Sequence, residues 1–232
     1  MTVDLAGAVD FVRRSLAEQA DPEKAAGMQA YMKTDMPFYG VQKPARVRIL
    51  RDLATRFPPA NRDDYESLVL ALWELPHREE KYLAQEVATR FGEFVVPESM
   101  PIYKRFITEG QWWDFVDESA THMVRELVRD HPDPTWGEVD GWIDDPDMWL
   151  RRAAIICQIG LKGDTDADRL FRFCEQRMDE REFFIRKAIG WALREYAKTD
   201  PQAVADFASA HRDRLSGLSY REATKHIGDL LR

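Results

Sequence analysis

The sequence predicts an all-α protein built as an α-solenoid, and three observations lead there. Nearly every periodic segment carries apolar residues at three- and four-residue steps, the period of a helix with one buried face. No stretch shows sustained strand alternation or hairpin turn chemistry. The third observation is a repeat: Leu150-Arg151-Arg152-Ala153, Ile185-Arg186-Lys187-Ala188 and Tyr220-Arg221-Glu222-Ala223 stand 35 residues apart. That period, with two helices per unit, marks solenoids of the HEAT or TPR kind. One step back from Arg152 lands on Asp117. Asp117, Arg152 and Lys187 are therefore expected at equivalent positions on successive helices, lining one concave wall. No low-complexity linker splits the chain, so residues 1–232 read as one curved domain.

The elements follow in order. Helices are expected over Lys24–Lys33, Lys43–Arg56, Tyr65–Trp73, Glu79–Phe91 and Pro101–Thr108, separated by short breaks bearing Pro or Gly. Then come Gln111–Arg129, Pro146–Gly160, Ala167–Met178, Arg181–Thr199, Gln202–Leu215 and Tyr220–Leu231. Pro44 and Pro146 suit a first helical position, and Asp179 with Glu182 resembles a capping box.

Composition narrows the function classes. At 232 residues the chain can bury a large core, and its 44% hydrophobic and 32% charged residues are ordinary for a globular protein. No apolar run approaches the ~20 residues of a membrane span, and Met1-Thr2-Val3-Asp4-Leu5 lacks the basic start of a signal peptide. Two cysteines, Cys157 and Cys174, make neither a disulfide framework nor a zinc motif, which fits a reducing cytoplasm. His77, His122, His131, His211 and His226 are too scattered for a metal motif, and no metal or other cofactor is expected. A net charge of −8 argues against a nucleic-acid partner only if the cations are evenly spread.

Chemistry concentrates in Trp112-Trp113-Asp114-Phe115-Val116-Asp117. On a helical wheel Trp112, Val116, Ala120, Met123 and Leu127 form the buried stripe. Trp113 and Asp117, four residues apart, share its margin. Asp114 and Glu118 point further round, toward water. A carboxylate beside an aromatic ring at a core boundary is partly desolvated, which strengthens its field on a nearby cation.

Arg152 opens a helix that is apolar on most sides, where it meets the positive end of the helix dipole and needs an anion. Both an internal salt bridge and a phosphate ligand meet that need. In Glu182–Arg194 the core stripe is Ile185, Ala188, Ile189 and Ala192, while Lys187, Trp191 and Arg194 fall together beside Gly190. An exposed Trp between two cations offers stacking and phosphate neutralisation. The competing reading packs that Trp on the next repeat, with the cations extending past it. Near the N-terminus, Pro37-Phe38-Tyr39-Gly40-Val41-Gln42 enters a helix through Lys43-Pro44 and is expected to offer free backbone N–H groups to an anion. Arg46, Arg48 and Arg51 add charge there, and alone they read as a solvated face.

Taken in order, Tyr-Met-Lys at 31–33, Pro-Phe-Tyr-Gly-Val at 37–41, Trp-Trp-Asp-Phe-Val-Asp at 112–117, Trp-Leu-Arg-Arg-Ala-Ala-Ile at 149–155 and Phe-Phe-Ile-Arg-Lys-Ala-Ile-Gly-Trp-Ala-Leu-Arg-Glu-Tyr at 183–196 resemble the AlkD family of bacterial DNA alkylation-repair glycosylases. The resemblance covers roughly residues 20–200. It implies a HEAT-like solenoid whose concave face grips duplex DNA and excises N3- and N7-alkylated purines without cofactor. By motif, Asp117 matches the catalytic carboxylate, and Trp113 and Trp191 the aromatic pair at the damaged nucleotide. Arg152 matches a phosphate contact, and Tyr31 and Gln42 match contacts near the lesion. Lys187 and Arg194 are added as DNA-binding cations.

The residues suit that chemistry. A purine alkylated at N3 or N7 is cationic and leaves easily, positive charge builds on the deoxyribose, and a fixed carboxylate stabilises it. The resemblance also implies that the lesion is read through its backbone, without base flipping. The expected partner is double-stranded DNA carrying alkylated purines, bound by a cytoplasmic, nucleoid-associated monomer. Arg152, Lys187 and Arg194 are expected to make their wall electropositive, with the acids facing outward. Two alternatives remain: a non-catalytic relative that binds distorted or branched DNA, and a protein-binding HEAT scaffold.

Overall fold

The computed structural model describes residues 2–231, and every regular element among them is helical. They fall into two compact units, one through Val95 and the other from Val96 onward. The first holds α1 (Leu5–Ala17), α2 (Pro22–Met32), α3 (Lys43–Arg56), α4 (Arg62–Trp73) and α5 (Arg78–Arg90). Its core forms where α1, α3, α4 and α5 bring together Ala8, Val12, Leu16, Leu53, Leu68, Leu72 and Leu83, all fully buried. Helix α1 was not among the expected segments, although Ala8, Val12 and Leu16 carry a clear four-residue stripe.

The second unit runs α6 (Met100–Gly110), α7 (Trp113–Glu118), α8 (Arg125–Asp130), α9 (Pro132–Trp142), α10 (Met148–Ile156), α11 (Ala167–Arg177), α12 (Phe183–Tyr196), α13 (Pro201–Ala210) and α14 (Gly217–Ala223). From α8 to α14 each helix packs on the next, and α10, α12 and α14 also pack on one another in turn. That is the layering of stacked helical pairs, and it agrees with the 35-residue period. Helix α9 escaped the sequence reading because two prolines and two glycines mask its buried Trp136, Val139 and Trp142.

Several boundaries differ from expectation. Pro44 does sit in the first turn of α3. Pro146 instead precedes α10, whose N-cap is Asp147, its carboxylate accepting from the Trp149 N–H at 2.8 Å. The capping box at Asp179 and Glu182 does not form: Asp179 accepts from Arg214 at 2.7 Å, and Glu182 caps α12 without a side-chain bond. The expected helix over residues 220–231 stops at Ala223, leaving only a 3₁₀ turn at Gly228–Leu230.

Candidate active site

Asp117 is held on a helix with an unusual middle. Between α7 and α8, Ser119–Val124 winds as a π-helix, a local insertion often found at functional sites. The Thr121 hydroxyl donates to the Asp117 carbonyl at 2.7 Å, and His122 Nδ1 lies 3.1 Å from the Glu118 carbonyl. These contacts supplement the backbone ladder where its spacing changes. The stripe is as expected at Val116, Ala120, Met123 and Leu127, all fully buried, and Phe115 joins them. Trp113 and Asp117 lie at its margin, both half-buried. Asp114 and Glu118 are half-buried as well and do not stand free in water.

Arg152 reaches Asp117 from α10. Nε and Nη2 donate to Oδ1 and Oδ2, each at 2.8 Å, and Nη1 donates to the Phe184 carbonyl of α12 at 2.6 Å. Of the two alternatives for Arg152, the internal salt bridge is the one realised. Its three nitrogens are already engaged, and its side chain is 4% exposed against 17% for Asp117. The guanidinium also lies 5.8 Å from the centre of the Phe184 ring. Phe184 in turn packs on Trp149 and Trp112, with ring centres 4.9 and 5.5 Å away. Phe184 thus walls the ion pair with Trp112 and Trp149 packed behind it, and Trp112, expected in the buried stripe, is the half-buried N-cap of α7.

Burial pushes the Asp117 carboxyl above its ordinary value, the Arg152 hydrogen bond and charge pull it back, and Asp114 raises it further. Because the carboxylate is the more exposed partner, the pair presents its negative end outward. Each oxygen spends one lone pair on Arg152 and retains another direction for a donor or a cation.

The remaining cations depart from the electropositive wall. Lys187 pairs with Glu222 at 2.6 Å, and Arg194 pairs with the same carboxylate. All three expected cations therefore meet internal acids, because α14 brings Glu222 under α12 just as α7 brings Asp117 under α10. Gly190 does not form an open platform either. It is buried, and a Cβ there would stand 2.5 Å from the Glu222 Cβ and 3.0 Å from the Ser219 carbonyl. Its missing side chain lets α12 and α14 approach closely. Trp191 is half-buried.

In the first unit, Tyr31 is 72% exposed and Gln42 is exposed at the N-cap of α3. The N–H groups expected to be free are not. The fully buried Glu79 carboxylate accepts from the backbone N–H of Tyr39, Gly40 and Val41 at 3.0, 2.8 and 3.0 Å. An internal anion fills the cradle meant for an external one. Gly40 is required there: its φ is +89° and a Cβ would stand 2.1 Å from the Asp21 carbonyl. Arg46 is buried too, pairing with Glu86 at 3.1 Å.

Among the described residues no group of three His, Cys, Asp or Glu side chains is placed to hold a metal, and no helix is long and apolar enough to cross a membrane. Comparison with curated proteins returns no match. A solved structure, a predicted DNA alkylation repair enzyme from Enterococcus faecalis, is similar at 29% identity and a TM-score of 0.74, over 90% of this chain and 97% of that one. The model of the DNA alkylation repair enzyme family matches residues 12–227. With Asp117, Arg152 and the aromatic wall inside that span, the chain belongs to the DNA alkylation repair enzyme family.

Proposed function

We propose that the protein is a monofunctional DNA glycosylase that hydrolyses the N-glycosidic bond of cationic N3- or N7-alkylated purines in duplex DNA, with residues 1–232 working as one HEAT-like domain. The observation that carries this reading is the orientation of the Asp117–Arg152 pair, fixed by two hydrogen bonds and presenting its carboxylate outward. As the bond between C1′ and the purine nitrogen breaks, its electron pair neutralises the departing base and leaves positive charge on the sugar. Asp117 stabilises that charge and accepts a proton from the water that bonds to C1′. Arg152 acts as a positioning residue that locks the carboxylate's direction. Trp113 and Trp191 supply electron-rich faces to the same cationic centre. Tyr31 and Gln42 contact DNA around the lesion, which is read through its backbone without base flipping, whereas Lys187 and Arg194 reach DNA only by leaving Glu222.

The test is release of 7-methylguanine from duplex DNA under single-turnover conditions. Release that Trp191→Ala slows while leaving the salt dependence of binding intact supports the reading. Binding without release favours the non-catalytic DNA-binding alternative. Absence of salt-sensitive DNA binding leaves the protein-binding scaffold.

A further inference from the structure

Helices α1 and α3 pack side by side, and the groove along them is rich in arginine. A recess of about 440 Å³ is lined by Arg14, Arg48, Arg51 and Arg56 against two carboxylates, Glu18 and Asp52. In a chain carrying a net −8, this is a local reversal of sign. The cations are not locked in place. Arg14–Asp10 and Arg51–Asp52 are largely exposed pairs, and such pairs hold weakly. Arg56 lies 4.7 Å over the Phe11 ring, and Arg48 is exposed with no carboxylate at ion-pair distance among the described residues. Arg48 also lines an adjoining recess that reaches Gln42 and Lys24. At the helical rise, Arg48 stands about 9 Å and Arg56 about 21 Å along α3 from Gln42.

We infer that the α1–α3 groove is a second DNA contact, a seat for the phosphodiester backbone of duplex flanking the lesion. The inference rests on the DNA-glycosylase reading above. Two features select DNA over other anions. The cations extend as a track from Gln42, a contact the proposed function already places on DNA, and guanidinium forks suit the paired oxygens of successive phosphates. Such a contact carries no sequence information. It would add affinity and fix register on the duplex.

The test is anisotropy titration of the full chain with an undamaged fluorescent duplex over a range of salt concentrations. Each phosphate contact contributes about 0.9 to the slope of log K against log salt. Arg48→Ala should flatten the slope by about one unit and Arg48→Ala with Arg56→Ala by about two, while Arg48→Lys should keep it. Arg48→Glu, a single change on the surface, should weaken binding beyond Arg48→Ala. A steep wild-type slope left unchanged by Arg48→Glu and by the double variant overturns the groove alone, including the case where an acidic protein segment occupies it. A wild-type chain with no salt-dependent DNA binding overturns the glycosylase reading and the groove together.

Discussion

Arg152 and Asp117 stand one repeat apart, 35 residues in sequence, and meet through two parallel hydrogen bonds of 2.8 Å. Lys187 and Glu222, also 35 residues apart, repeat the contact with the signs exchanged. Four equivalent positions on α7, α10, α12 and α14 thus read acid, base, base, acid. Each terminal acid neutralises the base beside it, which links the repeat in the sequence to ion pairing between layers.

Asp117→Asn should slow excision by about 10²–10³, the typical loss for one preorganised electrostatic group. Because the fold favours the neutral form of this carboxyl, the melting temperature should change far less than excision does. Single-turnover base release and thermal melts check both. Wild-type excision by this variant would remove Asp117 from the mechanism.

The acid limb of the excision rate should lie above the ordinary carboxylate range, since burial raises Asp117 above 3.8. The sign for stability is opposite to that of a typical surface salt bridge. A raised carboxyl favours the fold while protonated, fully so below the unfolded pKa, and that contribution is lost as pH rises through the folded pKa. Arg152→Lys, which keeps a charge but loses the fork, should move the acid limb to higher pH. An unmoved limb would show that Arg152 does not tune the carboxylate.

Arg152→Ala should cost about 3–5 kcal/mol of stability, the range for breaking a buried ion pair. It should leave the salt slope of DNA binding unchanged, since the guanidinium is spent inside the protein. A slope flattened by one unit would restore the phosphate contact that the family resemblance implies.

Two glycine substitutions should have opposite signs. Gly190→Ala drives a Cβ into Glu222 and Ser219, so overpacking of about 1–3 kcal/mol should exceed the gain in helix propensity. Gly27→Ala, at an exposed position in α2 with nothing within 4 Å, should stabilise by about 0.5–1 kcal/mol. Denaturant melts decide, and stabilisation by both would mean that α12 and α14 are not in close contact.

Glu79→Gln should cost about 1–3 kcal/mol, because an amide presents N–H where three N–H groups already converge. Hydrogen exchange at Tyr39, Gly40 and Val41 should rise with it. Unchanged exchange there would mean that the loop holds its shape without the carboxylate.

The helical fold was legible because a buried stripe leaves its period in the sequence, as at Val116, Ala120, Met123 and Leu127. The repeat was legible for the same reason, and its 35-residue offset placed Asp117, Arg152 and Lys187 correctly in series. What stayed hidden was the identity of each charge's partner. Nothing local to Glu79 announces that it will turn inward to residues 39–41, and nothing in Tyr220–Ala223 shows that Glu222 will claim two cations. A free N–H and a capped one look alike until the chain has folded, and so do an exposed glycine and one pressed against a neighbouring helix.

The π-helical segment has a consequence for the geometry of Asp117. One extra residue wound into a helix rotates all that follows by about 100° relative to what precedes it. The π segment therefore sets the rotation of Trp113 and Asp117 relative to Leu127 and Val128, while Val116 and Leu127 both face the core. The first stretch holds Asp117 against Arg152 while the second keeps its own place in the core. Deleting one residue from Ser119–Val124 would read as a turn of the screw more than as a shortening. With Leu127 anchored in the interior, the carboxylate would swing away from Arg152.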